Sequence, residues 1–327
     1  LVNRTIAEVS KQGGGTVVIP EGKWKSARIV LKSNVNLHLA KGAELEFSGC
    51  AEDYLPAVFT RHEGVEIMGP AAFIYANGEN NIAITGEGTI YGPPMDAEIR
   101  KRPNGASVVE KDVPWDMPIE QRIYDGMEGR TFYRPKTISP INCTNVLIEG
   151  ITMERSTLWN VVPIYCENVI IRGITVNSTK VPSGDGIDIE SCKNVLIEYC
   201  TLNCGDDCFT LKAGRAEDGL RVGKPTENVV IRYSLAQHGH GGITCGSETA
   251  GVIKNLYVHD CVFDGTRTGI RFKTRRNRGG GSDNTYYERL RMINVGKSLY
   301  LGFVGQCLLY GRTGRTLSGK KSKPADA

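Results

Sequence analysis

Along most of the chain, apolar and polar residues alternate in short runs that open with asparagine. The phrase is Asn, an apolar residue, any residue, an apolar residue. It reads Asn34-Val-Asn-Leu37, Asn81-Ile-Ala-Ile84, Asn145-Val-Leu-Ile148 and Asn168-Val-Ile-Ile171, then Asn194-Val-Leu-Ile197, Asn228-Val-Val-Ile231 and Asn255-Leu-Tyr-Val258. From Asn145 onward the copies start 23, 26, 34 and 27 residues apart. A period of two over so short a run predicts a strand with one buried face. Repeats of this length, built of short strands and turns, predict stacked coils. No stretch between copies is long and periodic enough for a crossover helix, which counts against a barrel or a doubly wound sheet. The expected fold is therefore all-β, a right-handed parallel β-helix in which each coil gives strands to several long sheets. The recurrent Asn is expected to be structural, its amide satisfying backbone groups of a turn.

Three regions depart from the rhythm. Val2, Ile6 and Val9 put one apolar stripe on residues 2–12, a short helix that Gly13-Gly-Gly15 ends before Thr16-Val-Val-Ile-Pro20 begins the first strand. Such a helix would cap the exposed end of a solenoid. Residues 93–133 are polar and Pro-containing, with Trp115, Tyr124, Phe132 and Tyr133 among them. A long insertion of this kind is expected to wall one end of a groove. After Asn294 the phrase disappears. One β-helix domain is expected over residues 1–297, with an atypical, partly disordered basic tail over 298–327 to which Leu299–Leu309 could add a capping strand.

Four stretches carry the candidate chemistry: Ser183-Gly-Asp-Gly-Ile-Asp-Ile-Glu190, Gly205-Asp-Asp-Cys-Phe-Thr-Leu-Lys212, Gly239-His-Gly-Gly-Ile-Thr-Cys245 and Gly269-Ile-Arg-Phe-Lys-Thr274. Written under one another, Ile187, Phe209, Ile243 and Ile270 align, as do Ile189, Leu211, Cys245 and Phe272. The rows between them hold Asp188, Thr210, Thr244 and Arg271, then Glu190, Lys212, Gly246 and Lys273. If the strands stack, these rows form one charged wall, with Asp185 and Asp207 about 4.8 Å apart and Asp206 adjoining. Clustered carboxyls raise one another's pKa. Glycoside hydrolysis uses such a cluster, one carboxyl giving a proton to the leaving oxygen and another activating water or attacking. The bland alternative is a calcium-binding or solvated acidic edge. Against it, Lys212, Arg271 and Lys273 share the face, and would repel a metal yet neutralise a uronic acid. His240, between two glycines, is expected to hold a carboxylate's geometry or relay protons. Trp159 aligns with Asp185 one coil earlier and is expected either to stack on a sugar or simply to pack.

Composition narrows the picture little further. The chain has 327 residues, 40% of them hydrophobic, and a net charge of +4. No apolar run approaches eighteen residues, so no membrane partner is expected. Arg267, Arg271, Lys273, Arg275, Arg276 and Arg278 crowd twelve residues; a solvated loop or a nucleic-acid contact is possible there, but the adjoining acids favour an acidic sugar polymer. Of ten cysteines, Cys143, Cys166 and Cys192 each lie two residues before a phrase Asn. They are expected to form a buried column of thiols. The Cys200, Cys204, Cys208 spacing is not that of a zinc site. The opening Leu1-Val-Asn lacks a charged-then-apolar leader, as expected of a processed product or a fragment, and the expected setting is secreted or periplasmic.

The four stretches resemble the signature segments of family 28 glycoside hydrolases, the polygalacturonases and their relatives. Gly205-Asp206-Asp207-Cys208 is similar to the family's Gly-x-Asp-Asp-Cys with the intervening residue dropped. Gly239-His240-Gly241 and Arg271-Phe272-Lys273 match its Gly-His-Gly and Arg-x-Lys. Ser183-Gly184-Asp185-Gly186 keeps half of its Asn-Thr-Asp-Gly. The resemblance implies a right-handed β-helix that hydrolyses α-1,4-galacturonosyl bonds of polygalacturonate or pectin with inversion; a monomer is expected, and an insertion closing one end of the groove slightly favours exo over endo action. It implies no metal, cofactor or nucleic acid. By motif, Asp206 would be the general acid, Asp185 and Asp207 would hold and activate water, His240 would support the acid's protonation, and Arg271 and Lys273 would bind the substrate carboxylate. Lys212 and Trp159 complete the expected substrate contacts. A spacing near 5 Å is that of retaining enzymes; the acid being Asp206, outside the stacked pair, is the expected way out. The rival readings are a rhamnogalacturonan or xylogalacturonan hydrolase, a calcium-dependent pectate lyase and a non-catalytic β-helical glycan binder.

Overall fold

The computed structural model describes residues 1–101, 113–303, 308–310 and 316–318. It is a parallel β-helix. One sheet of nine parallel strands runs from Gly15–Ile19 to Ser282–Glu288, and a second of nine runs from Gly22–Ser26 to Arg291–Ile293. A third line of parallel strands starts at Ile29–Val30. It passes through Ile138–Ile141, the bridged residues Val161 and Ile164, and Ile187–Glu190, and ends at Lys297–Phe303. The last strand carries this sheet past the boundary expected at 297. Leu308–Tyr310 pairs antiparallel with Thr316–Ser318, and residues 304–307, 311–315 and 319–327 of the tail expected over 298–327 lie outside the described residues.

The asparagine phrase makes the first sheet. Its apolar positions point inward and stack like on like: Ile148 pairs with Ile171, Ile171 with Ile197, Ile197 with Ile231 and Ile231 with Val258. All five are fully buried, and each aliphatic side chain removed from water contributes about 2 kcal/mol toward ordering its coil. The asparagines do not serve turn backbone as expected. Each sits at positive φ, and each after Asn34 donates its amide to the Asn one coil before, Asn81 to Asn34, Asn145 to Asn81, and onward to Asn284 to Asn255, at 2.7–3.1 Å. A short polar side chain tolerates the left-handed conformation and reaches its copy one rung away. Cys143, Cys166 and Cys192 do form a buried column of free thiols, the Cys166 amide 3.3 Å from the Cys192 sulfur.

Helix α1, Val2–Lys11, covers the first coil with Ile6 fully buried. No helix among the described residues is long and apolar enough to cross a membrane. Two other additions matter for function, and the sequence reading anticipated neither. Val58–His62 and Val65–Gly69 form an antiparallel hairpin, turning at Glu63-Gly64 with positive φ at both. Helix α2, Ala216–Val222, receives it: the Glu66 amide donates to Asp218 at 2.8 Å, and the Arg215 amide to the Gly64 carbonyl at 3.1 Å. Of the expected insertion, Tyr124 and Tyr133 pack with Val65 and Ile67 of the hairpin, while 102–112 lie outside the described residues. Together these pieces cover part of the third sheet. Strands Ile138–Ile141, Ile187–Glu190 and Phe209–Lys212 are buried on both faces instead of on alternate residues.

Candidate active site

The register expected for the four stretches is the register found. Ile187 pairs with Phe209, Phe209 with Ile243 and Ile243 with Ile270. The turns leading into these strands bring Asp185, Asp206 and Asp207 together, one oxygen from each lying within 4.8 Å of the others. His240 joins them because its two glycines let the third coil close on the second. A Cβ on Gly241 would lie 2.8 Å from Asp207 Oδ1 and one on Gly239 2.7 Å from the Asp206 carbonyl. The His240 amide donates to that carbonyl at 2.8 Å, and its Nδ1 lies 3.0 Å from Asp206 Oδ1.

The three acids occupy different environments. Asp185 is 4% exposed and Asp207 fully buried, while the Asp206 side chain keeps 26% of its surface. Burial, then the charges of Asp188 and Asp206, push the Asp185 carboxyl well above the usual carboxylate range. Burial would raise Asp206 too, but the His240 hydrogen bond and the charges of His240, Lys273 and Lys212 outweigh it and hold that carboxyl low. The same bond raises the His240 imidazole. Asp207 accepts from Arg271 Nη1 at 3.0 Å and from Lys273 Nζ at 3.3 Å. The cluster thus holds one carboxyl pushed up by burial, one carboxyl held low by a hydrogen-bonded imidazole and one carboxyl gripped by two cations. The three acids also have spacing that could hold a metal ion, although Arg271 and Lys273 already engage Asp207.

Two expected substrate contacts are corrected. Lys212 is 3% exposed and turned away from solvent. Its ammonium lies 3.0 Å from Glu248 and 3.5 Å from Asp188, and 4.3 Å above the Trp159 ring. Burial works against that charge, but Glu248, Asp188, Asp185 and Asp207 raise it well above the ordinary ammonium value. Trp159, 4% exposed, packs under the lysine and presents no face to a sugar. The charged wall is likewise only partly open, since Asp188, Glu190, Thr210 and Thr244 are buried. The basic run is not one patch either. Arg271 and Lys273 turn to Asp207, Arg278 is buried, and Arg267, Arg275 and Arg276 are exposed. Nor does excluding Asp206 from the stacked pair lengthen the carboxyl spacing, because Asp206 lies as close as the others.

Sequence reasoning missed the buried ions beneath the acids, Glu248, Arg215 and Glu63, in which Arg215 pairs with both glutamates. Nothing local marks them, and Glu63-Gly64 is not one of the Asn-Gly or Asp-Gly pairs that signal a hairpin.

Comparison with known proteins agrees with this geometry. The model of glycosyl hydrolases family 28 matches residues 14–302. A relative from Vitis vinifera, described as a probable polygalacturonase, is 30% identical over 88% of this chain and 56% of its own length. The exo-poly-alpha-D-galacturonosidase of Dickeya chrysanthemi is 24% identical over 87% of this chain and 51% of its own length. The chain therefore spans about half the length of these curated relatives. Among solved structures, a hyperthermoactive exopolygalacturonase from Thermotoga maritima superposes with a TM-score of 0.86 at 36% identity, covering 91% of this chain and 70% of that one. With the family's model matched along most of its coils and the motif acids, imidazole and cations gathered in one patch, the chain belongs to glycosyl hydrolases family 28.

Proposed function

We propose that this protein hydrolyses α-1,4-galacturonosyl bonds of polygalacturonate or pectin, taking units from a chain end, with inversion and without a metal. The observation that carries the reading is the Asp206–His240 pair, the part of the carboxyl cluster open to solvent, beside two buried acids and a pair of cations. A sugar bound over the pair strips its water. In that drier setting the charge-separated form loses to the neutral one, so the proton moves from the imidazole to Asp206, which delivers it to the glycosidic oxygen. A substrate carboxylate drawn to Arg271 and Lys273 loosens their grip on Asp207, whose oxygens then take a proton from the attacking water. Asp185, beside both other acids, is placed to hydrogen-bond that water.

Inversion is taken from the family, since a spacing within 4.8 Å is nearer the retaining range of about 5–5.5 Å. The support for end-on attack is the hairpin Val58–Gly69, whose residues bond Ser191, Arg215 and Asp218 and so wall the third sheet beside the coils that carry the acids. A polymer of this size is met outside the cytoplasm, consistent with a secreted or periplasmic enzyme. The test is a digest of oligogalacturonides in the presence of chelator, with products sized over time and their anomeric protons followed by NMR. Saturated monomer from the first sample, released as the β anomer, is the expected result. Unsaturated products, or activity lost to the chelator, would replace the reading with a calcium-dependent lyase; a ladder of intermediates would replace exo with endo attack.

A further inference from the structure

Asp185 stands at the end of an irregular loop, residues 178–186, that leads from Thr175–Asn177 of the second sheet to Ile187–Glu190 of the third. Gly184, just before the acid, leaves this backbone free to turn. Two polar side chains grip the loop on either side of Asp185. Asn160, fully buried, comes from the coil before. Its backbone amide donates to the Asp185 carbonyl at 3.0 Å, and its side-chain Nδ2 donates to the same oxygen at 2.8 Å. Nδ2 also donates to Ser178 Oγ at 3.2 Å. Ser178, 2% exposed, donates in turn from Oγ to the Gly184 carbonyl at 2.7 Å. The carbonyls before and after the Asp185 Cα are therefore both held, and the two holders are bonded to each other. The hold reaches the other acids through the backbone. The Gly205 amide, next to Asp206, donates to the Gly184 carbonyl at 3.2 Å, and the Gly186 amide donates to the Asp207 carbonyl at 3.0 Å.

Asp185 needs such a hold. Its carboxyl lies within 4.8 Å of two others, and like charges in one cluster push apart. On a free loop it would swing away from them. Fixing both peptide planes around its Cα fixes the direction of the Cα–Cβ bond and so the place of the carboxyl. Catalytic groups tolerate little error here, since a displacement of about 1 Å costs about 10²-fold in rate. Asn160 and Ser178 are too deeply buried to meet a polysaccharide, so what they do for the reaction passes through Asp185.

We propose that Asn160 and Ser178 are positioning residues that clamp the backbone on both sides of Asp185 and hold its carboxyl in place beside Asp206 and Asp207. The proposal rests on the galacturonan-hydrolase reading. It is tested by measuring kcat and KM on trigalacturonate, well below every melting transition, for wild type, Ser178→Ala and Asn160→Leu. The Ala variant is expected to lose roughly 10-fold in kcat and the Leu variant up to roughly 100-fold. KM should stay within about twofold, because Arg271 and Lys273 are untouched. In an Asp185→Asn background the same two substitutions should cost less than about twofold more, because the group they position is gone. A merely structural pair would lower the melting midpoint and leave kcat alone. That result, a loss carried by KM, or losses that persist in the Asp185→Asn background would each overturn the clamp. If Asn160→Leu does not fold, Ser178→Ala, which removes a single oxygen, carries the same comparison. A wild type that cleaves no galacturonan overturns the hydrolase reading and the clamp's catalytic role together.

Discussion

His240 Nδ1 lies 3.0 Å from Asp206 Oδ1, a contact between two coils that gives a half-buried carboxyl an imidazole partner. The pair shifts both members in opposite senses, the imidazole up and the carboxyl down. In Asp206→Asn the imidazole should therefore titrate at lower pH than in the wild type, read by NMR of its ring protons. The same variant should lose about 10²–10⁴-fold in kcat with an unchanged melting curve. An imidazole that titrates identically in both proteins would remove the pair from the mechanism.

Lys212 and Lys273 belong to the same polar row yet should fail differently. Lys212→Met leaves the Glu248 carboxylate buried without its ammonium partner, so unfolding free energy should fall by about 3–5 kcal/mol. Lys273→Met removes a half-open cation and should cost under about 1 kcal/mol while kcat/KM drops tenfold or more. Denaturant melts beside initial rates separate the two.

Stability should decline as pH rises from about 5 to 8. Burial pushes Asp188 up to about 8 and Glu63 to about 7, and Asp185 moves the same way. An acid whose folded pKa is raised favours folding fully below its unfolded value near 4 and loses that contribution as pH climbs through the folded one. His240, also raised, adds a loss of the same sign. Glu248, held far below its ordinary value by Lys212 and Arg215 against its burial, opposes them only in acid. Asp188→Asn should flatten the decline by about 1–3 kcal/mol, measured as the denaturation midpoint against pH.

Asn194 accepts an amide proton from Asn228 and donates its own to Asn168, at 3.0 and 3.1 Å. Asn194→Ala should cost about 2 kcal/mol, from two lost bonds and a left-handed φ that Ala resists. Asn194→Gly loses the bonds but not the conformation, and should be the milder change. The reverse order would mean that the ladder is ornamental to stability.

The coils, their register and the meeting of Asp185, Asp206, Asp207, His240, Arg271 and Lys273 were legible in the chain, because parallel stacking follows from a local pattern repeated. An alternating run admits one inward face, and a one-residue slip would bury its polar side, so aligning the four stretches by eye aligned them in space. Asn284 escaped the phrase, since Thr285 replaces its first apolar residue, although it continues the ladder.

Which polar residues meet water was not legible. Asp188, Thr210 and Lys212 alternate outward just as Arg271 and Lys273 do, and no property of their own strands distinguishes them. The difference comes from a hairpin over 120 residues earlier in the chain and a helix that receives its tip. Alternation fixes the side of the sheet to which a residue points, whereas exposure depends on what distant segment is laid over that side. Lys212 and Trp159 acquire their surroundings from that covering, which exists only once the chain has closed on itself.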